Sequence, residues 1–114
     1  MMRPMAAETN TLAPALAERE RVLRILHETA PRLRARGITR LSLFGSMARG
    51  KAGPDSDIDL LIEVDPDASL GFFDLFDIQE ELGTLLGRPV QFAFSSAMRP
   101  WLQNWIEKDR MGIY

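Results

Sequence analysis

Leu41-Ser42-Leu43-Phe44-Gly45-Ser46-Met47-Ala48-Arg49-Gly50-Lys51-Ala52-Gly53-Pro54-Asp55-Ser56-Asp57-Ile58-Asp59-Leu60-Leu61-Ile62 holds two apolar runs joined by a polar, glycine-rich stretch. From Ile38 the first run has the period of a strand, and Gly45 cuts it off. Ser46 to Ser56, with Gly50, Gly53 and Pro54, reads as a loop. Ile58 to Val64 reads as a second strand, apolar apart from Asp59 and Glu63, a pattern that predicts burial on both faces.

Two phosphate-binding readings compete for this segment. Gly45-Ser46-Met47-Ala48-Arg49-Gly50-Lys51 matches G-x-x-x-x-G-K after a strand, the pattern of a P-loop. The next position is Ala52, which has no hydroxyl for magnesium, and Gly53 and Pro54 break the helix that a P-loop requires. The second reading joins Gly45-Ser46 to Asp57-Ile58-Asp59. Residues i and i+2 of a strand project from one face about 7 Å apart, so two carboxylates can converge on one hard cation. Magnesium takes oxygen ligands from one or two carboxylates plus substrate phosphates. At Gly45-Ser46 a missing side chain lets the backbone approach a phosphate, and a hydroxyl and amides can hold it. Each piece alone has a plainer explanation: Asp-x-Asp as turn capping, Arg49 and Lys51 as ordinary loop charges. The combination of strand, Gly-Ser, ten residues, Asp-x-Asp and apolar strand is the informative feature.

Outward from this core, Leu16, Leu23, Leu26, Ala30 and Leu33 form a helical stripe, with Pro31 predicting a kink or two short helices and Gly37 a stop. Phe72, Leu75, Ile78, Leu82 and Leu85 predict an amphipathic helix over 70–86, closed by Gly87. Val90 to Phe94 reads as a third strand. Ser95 or Ser96 can cap a last helix with Met98, Trp101, Leu102, Trp105 and Ile106 on one apolar face, for which core packing is the default. The order helix, strand, strand, helix, strand, helix predicts an α/β domain around a small mixed sheet with flanking helices. Residues 1–11 are expected to be a flexible tail and 12–114 a single domain.

The 114 residues carry 14 basic and 16 acidic side chains, and no cysteine, which excludes a disulfide framework, a zinc finger and thiol chemistry. Residues 1–51 sum to +6 and 52–114 to −8, so the molecule is expected to be dipolar. Six arginines between Arg19 and Arg36 are expected to solvate the outer face of the first helix. Direct nucleic-acid binding is disfavoured because no aromatics interleave with them. His27, the single histidine, has no second histidine or acid placed with it, and nothing gives Tyr114 a role. No apolar run approaches the roughly 20 residues of a membrane span, and a cytoplasmic location is expected by default. One core leaves little room for a substrate domain, so an apolar patch on the last helix or on 72–76 is expected to be covered by a partner or a second copy.

Leu43-Phe44-Gly45-Ser46-Met47-Ala48-Arg49-Gly50 followed by Asp55-Ser56-Asp57-Ile58-Asp59-Leu60-Leu61 resembles the signature of the minimal nucleotidyltransferases of the DNA polymerase beta superfamily. The likeness runs from about Leu16 to Ile106 and includes Leu86-Gly87-Arg88-Pro89-Val90. It implies a cytoplasmic prokaryotic protein that binds Mg2+ and ATP and often pairs with a small helical HEPN-domain toxin. In such pairs the nucleotidyltransferase is the antitoxin, and some members transfer AMP onto a toxin tyrosine. The resemblance also implies a third carboxylate on the strand beside Asp57 and Asp59, where this sequence has Gln91. An amide keeps the shape but loses charge and proton acceptance, and Glu63, about 13 Å along the strand from Asp59, is too distant to replace it.

Two readings therefore stay open. In the first, Gly45 and Ser46 hold the triphosphate, Asp57 and Asp59 hold magnesium as the catalytic pair, Arg49 and Lys51 offset phosphate charge, and a partner supplies the acceptor. In the second, the fold and pocket persist but Gln91 has removed catalysis, leaving a stoichiometric antitoxin.

Overall fold

A computed structural model describes residues 13–95 and 99–114; the expected tail over 1–11, Ser96, Met98 and the side chain of Trp105 lie outside the described residues. In chain order the elements are α1 (Ala13–Arg36), β1 (Ile38–Phe44), α2 (Gly45–Ala48), β2 (Ile58–Val64), α3 (Phe72–Leu86), β3 (Val90–Phe94), α4 (Pro100–Glu107) and β4 (Met111–Gly112). The sheet order is β3-β2-β1-β4; β1 runs antiparallel to β2 and β4, and β2 runs parallel to β3. The sheet is thus mixed, as the element order predicts. The parallel pair follows from α3, which carries the chain back between β2 and β3 as a crossover.

Register decides which side chains share a face. Leu41 lies opposite Ile62 and Leu43 opposite Leu60, while Ile58 and Leu60 are level with Val90 and Phe92. This face packs against Val22, Leu26, Ala30 and Leu33 of α1 and Ile78, Leu82 and Leu86 of α3 to form the core. Leu61, on the opposite face, is also buried, so β2 is covered on both sides as its composition predicts. Thr39 is the extra residue of a bulge near the start of β1, between the Ile38–Val64 and Arg40–Glu63 pairs, and its hydroxyl donates to the Glu63 carbonyl at 3.1 Å.

Several expectations need correction. Pro31 does not divide the first helix, which continues for 24 residues. Pro31 and His27 are both solvent-exposed, so water can take the carbonyl that the missing amide leaves free, while Leu26, Ala30 and Leu33 hold both sides of the proline on the core. The loop after Gly45 contains the one-turn helix α2, and β4 had no sequence signal. The arginines of α1 do more than solvate it. Arg19 donates to the Ala48 carbonyl, Arg21 to that of Leu86, Arg36 pairs with Glu81, and Arg34 lies 4.3 Å over the Tyr114 ring. Tyr114 itself donates to the Ile38 carbonyl at 2.8 Å, and burial pushes its phenol up to about 12. Leu16, Phe72, Leu85 and Trp101 are exposed rather than packed, because the buried stripe of α3 runs through Ile78, Leu82 and Leu86 and that of α4 through Ile106. Among the described residues no helix is long and apolar enough to cross a membrane.

Candidate active site

Gly45 closes β1 with φ +75°, a left-handed conformation that glycine adopts without steric cost. The reason for glycine is also spatial. A Cβ there would lie 2.6 Å from Asp59 Oδ2, so the Asp59 carboxylate rests directly against the Gly45 backbone. Gly45→Ala should lower stability by at least about 1–2 kcal/mol from backbone strain alone. A thermal melt identical to wild type would show that the turn is not held in this way.

Antiparallel pairing sets Phe44 opposite Asp59, and parallel pairing sets Asp59 level with Gln91, so Phe44, Asp59 and Gln91 form one row across three strands. Asp57 immediately precedes β2 and is exposed, whereas Asp59 is half-buried. Burial, then the charge of Asp57, raise the Asp59 carboxyl above its ordinary range, and Arg49 partly offsets them. Two carboxylates repelling at the start of one strand, both with oxygen donors only, suit a hard divalent cation. No group of three or more His, Cys, Asp or Glu residues with metal-binding geometry occurs among the described residues.

A cavity of about 430 Å³ is lined by Phe44, Gly45, Ser46, Arg49, Asp59, Leu102, Ile106 and Asp109. Four of the six residues expected from sequence, Gly45, Ser46, Arg49 and Asp59, therefore share one cavity, and Asp57, two residues before Asp59, is not in its wall. Lys51 is exposed and not part of the lining. Glu63 is occupied elsewhere, 3.3 Å from Arg40. Sequence reasoning missed Leu102, Ile106 and Asp109. Asp109 lies 3.6 Å from Arg49 in a half-exposed ion pair, and no local motif marks it. Its place follows from the chain after α4, which passes through Asp109 as it returns to pair β4 with β1.

Residues 20–111 match the nucleotidyltransferase domain family. The chain belongs to that family. This nucleotidyltransferase-family chain is 34% identical to the protein adenylyltransferase MntA of Thermococcus cleftensis over 96 residues, covering 83% of this chain and 95% of the relative. Among solved structures, a candidate minimal nucleotidyltransferase superposes with a TM-score of 0.61 at 29% identity, over 88% of this chain and 93% of the other. A chain from the complex of a tri-AMPylated Shewanella oneidensis HEPN toxin with MNT antitoxin superposes with a TM-score of 0.52 at 14% identity, over 88% and 71% of the two chains. The mixed sheet with flanking helices is thus the nucleotidyltransferase fold.

Proposed function

We propose that residues 12–114 form a single nucleotidyltransferase domain that binds Mg2+ and ATP and transfers AMP to a HEPN-type toxin, acting as its antitoxin. The observation that carries this is the contact between the Gly45 turn and the Asp59 carboxylate, in one cavity with Ser46 and Arg49 and with Asp57 beside it. Asp57 and Asp59 would hold magnesium, which would supply charge neutralisation on the triphosphate. The Gly45 turn, closed against the Asp59 carboxylate, presents Ser46 to the same cavity, where its hydroxyl would donate to a phosphate. Arg49 offsets phosphate charge; its half-exposed pairing with Asp109 is weak enough to be exchanged for a phosphate. The acceptor hydroxyl loses its proton to solvent as its oxygen attacks the α-phosphorus, the bond from that phosphorus to the oxygen bridging the β-phosphate breaks, and pyrophosphate leaves.

The protein relatives support the acceptor class: one is named a protein adenylyltransferase, and one structural neighbour comes from a complex with an AMPylated HEPN toxin. Phe72 and Phe73 are 80% and 81% exposed, and Phe76 is half-exposed, an apolar surface of the kind a partner chain covers.

Gln91 favours a second reading. It is level with Asp59 on the neighbouring strand, and its neutral amide cannot take the acceptor's proton. In that reading the chain binds Mg-ATP and the toxin without transfer. One experiment separates the two: the protein, ATP and magnesium are incubated with a HEPN-type protein encoded beside it, and the partner is weighed by mass spectrometry. An adenylyl adduct supports transfer. A stable complex without an adduct supports the stoichiometric antitoxin, and neither complex nor adduct rejects both.

A further inference from the structure

Asp57 is flanked by two hydrogen bonds, one to a side chain and one to a backbone carbonyl, that both involve one dipeptide. On its N-terminal side, the Ser56 carbonyl accepts from Arg88 Nη1 at 2.8 Å. On its C-terminal side, the Ile58 amide donates to the Pro89 carbonyl at 2.9 Å. Arg88 also donates through Nη1 to the Gly53 carbonyl at 2.9 Å and, at longer range, to that of Pro54 at 3.4 Å. Residues 53–56 close on themselves, with the Ser56 amide donating to the Gly53 carbonyl and the Ser56 hydroxyl accepting from the Gly53 amide. The carbonyls of that closed turn converge on a single guanidinium.

The guanidinium is itself aimed. Its Nε donates to Glu18 Oε2 at 2.7 Å, and Glu18 is gripped from its other side by Arg21, whose Nη2 also donates to the Leu86 carbonyl. Hydrogen bonding to Arg21 and, after opposition from burial, to Arg88 holds the Glu18 carboxyl down at about 2, so the partner remains an anion at any working pH. The Arg88 side chain is only 13% exposed. Charge-assisted bonds shielded from water are the strong ones, and the planar fork of arginine can serve a carboxylate and several carbonyls at once, as a lysine ammonium cannot. The segment it holds has little else to fix it: residues 51–57 include no helix or strand, and Ala52 is their one buried side chain.

We propose that Arg88 is a positioning residue for the Asp57–Asp59 pair. Seated on Glu18, it locks the turn at 53–56 and thereby fixes where Asp57 enters β2, although it contacts neither carboxylate. This rests on the reading of Asp57 and Asp59 as the cation-holding pair. Loss of the clamp releases Asp57 while Asp59, paired within the sheet, stays in place, so the two carboxylates no longer converge.

The test compares Arg88→Met, Arg88→Lys and Glu18→Gln with wild type by calorimetric titration of Mn2+ with ATP, by amide hydrogen exchange over 53–58, and by thermal melting. Leu82→Ala, a core truncation on α3 that removes none of these hydrogen bonds, serves as a control for general destabilisation. Arg88→Met should loosen exchange at 53–58 and weaken Mn-ATP binding by about 10–100-fold, the usual effect of removing a group that orients metal ligands. Arg88→Lys should recover little of this, because the charge returns without the fork. Glu18→Gln should give the same pattern at smaller size, and it carries the test if Arg88→Met does not fold. Leu82→Ala should melt lower yet bind normally. Unchanged Mn-ATP affinity in the Arg88 and Glu18 variants, with wild type binding metal, overturns the positioning role alone. An equal loss in Leu82→Ala overturns it too. Wild type that binds ATP identically with and without metal overturns the reading of Asp57 and Asp59, and the positioning role with it.

Discussion

Replacing Asp57 and Asp59 together by asparagine should abolish the magnesium dependence of ATP binding and, where wild type transfers AMP, lower the rate by roughly 10³-fold or more, since metal stabilisation of a transition state is worth several kcal/mol. Asparagine keeps the size and one oxygen of each side chain, so the Gly45–Asp59 contact can persist. The fold should not suffer. In the absence of metal, burial first and the charge of Asp57 second raise the Asp59 carboxyl, and removing both charges relieves both costs. The metal-free variant should therefore melt no lower than wild type, while magnesium and ATP should raise the melting temperature of wild type only. Calorimetry with and without magnesium, beside thermal melts, reads both effects. If the variant binds ATP with the same magnesium dependence as wild type, the carboxylates are turn caps and not ligands.

Gln91→Asp tests the one position where the sequence departs from the pattern it resembles. Position 91 is exposed and level with Asp59, whereas Val90 and Phe92 point to the core face, so the substitution places a third carboxylate in the row without disturbing packing. Three clustered acids repel, and the variant should be less stable than wild type without metal and gain more from magnesium. If proton acceptance is what wild type lacks, transfer of AMP to the partner should rise by about 10²–10⁴-fold, the usual scale of general-base assistance. Mass spectrometry of the partner over time measures the ratio. Equal adduct formation by both proteins would show that Gln91 is no obstacle to chemistry; no adduct from either would favour the binding-only antitoxin where a stable complex forms, and a wrong partner where none does.

The parts of the site legible in the sequence are those whose geometry is local. Gly45 ends a strand, Asp57 and Asp59 alternate at the start of the next, and the change of period between Phe44 and Ile58 marks the turn that brings them together. The position of Gln91 beside Asp59 comes from the resemblance, which implies an acid there; alternation along Val90–Phe94 assigns its face but not the neighbouring strand. The remainder depends on distant contacts. Asp109 enters the cavity because the chain after α4 returns to pair β4 with β1, and Arg88 matters because Glu18, 70 residues away, holds its guanidinium. Neither has a neighbour in sequence to announce it. The α1 arginines show the converse error: a charge run normally means solvation, yet Arg19 and Arg21 reach carbonyls 29 and 65 residues away. Pro31 misled for a different reason, since one lost hydrogen bond on the wet side of a well-anchored helix does not divide it.

The bulge at Thr39 bears on how this domain can change in length over evolution. An added residue in β1 must either shift every later pairing or be expelled as a bulge, and the Thr39 bulge sits at the end of β1 remote from Gly45. Between Arg40 and Phe44 the pairing with β2 is unbroken, so the strand keeps step with Asp59 whatever irregularity is absorbed before it. Insertions and deletions near Ile38 can thus be neutral drift, while a single indel between Leu41 and Phe44 turns the core face outward and carries Gly45 away from the carboxylate it accommodates.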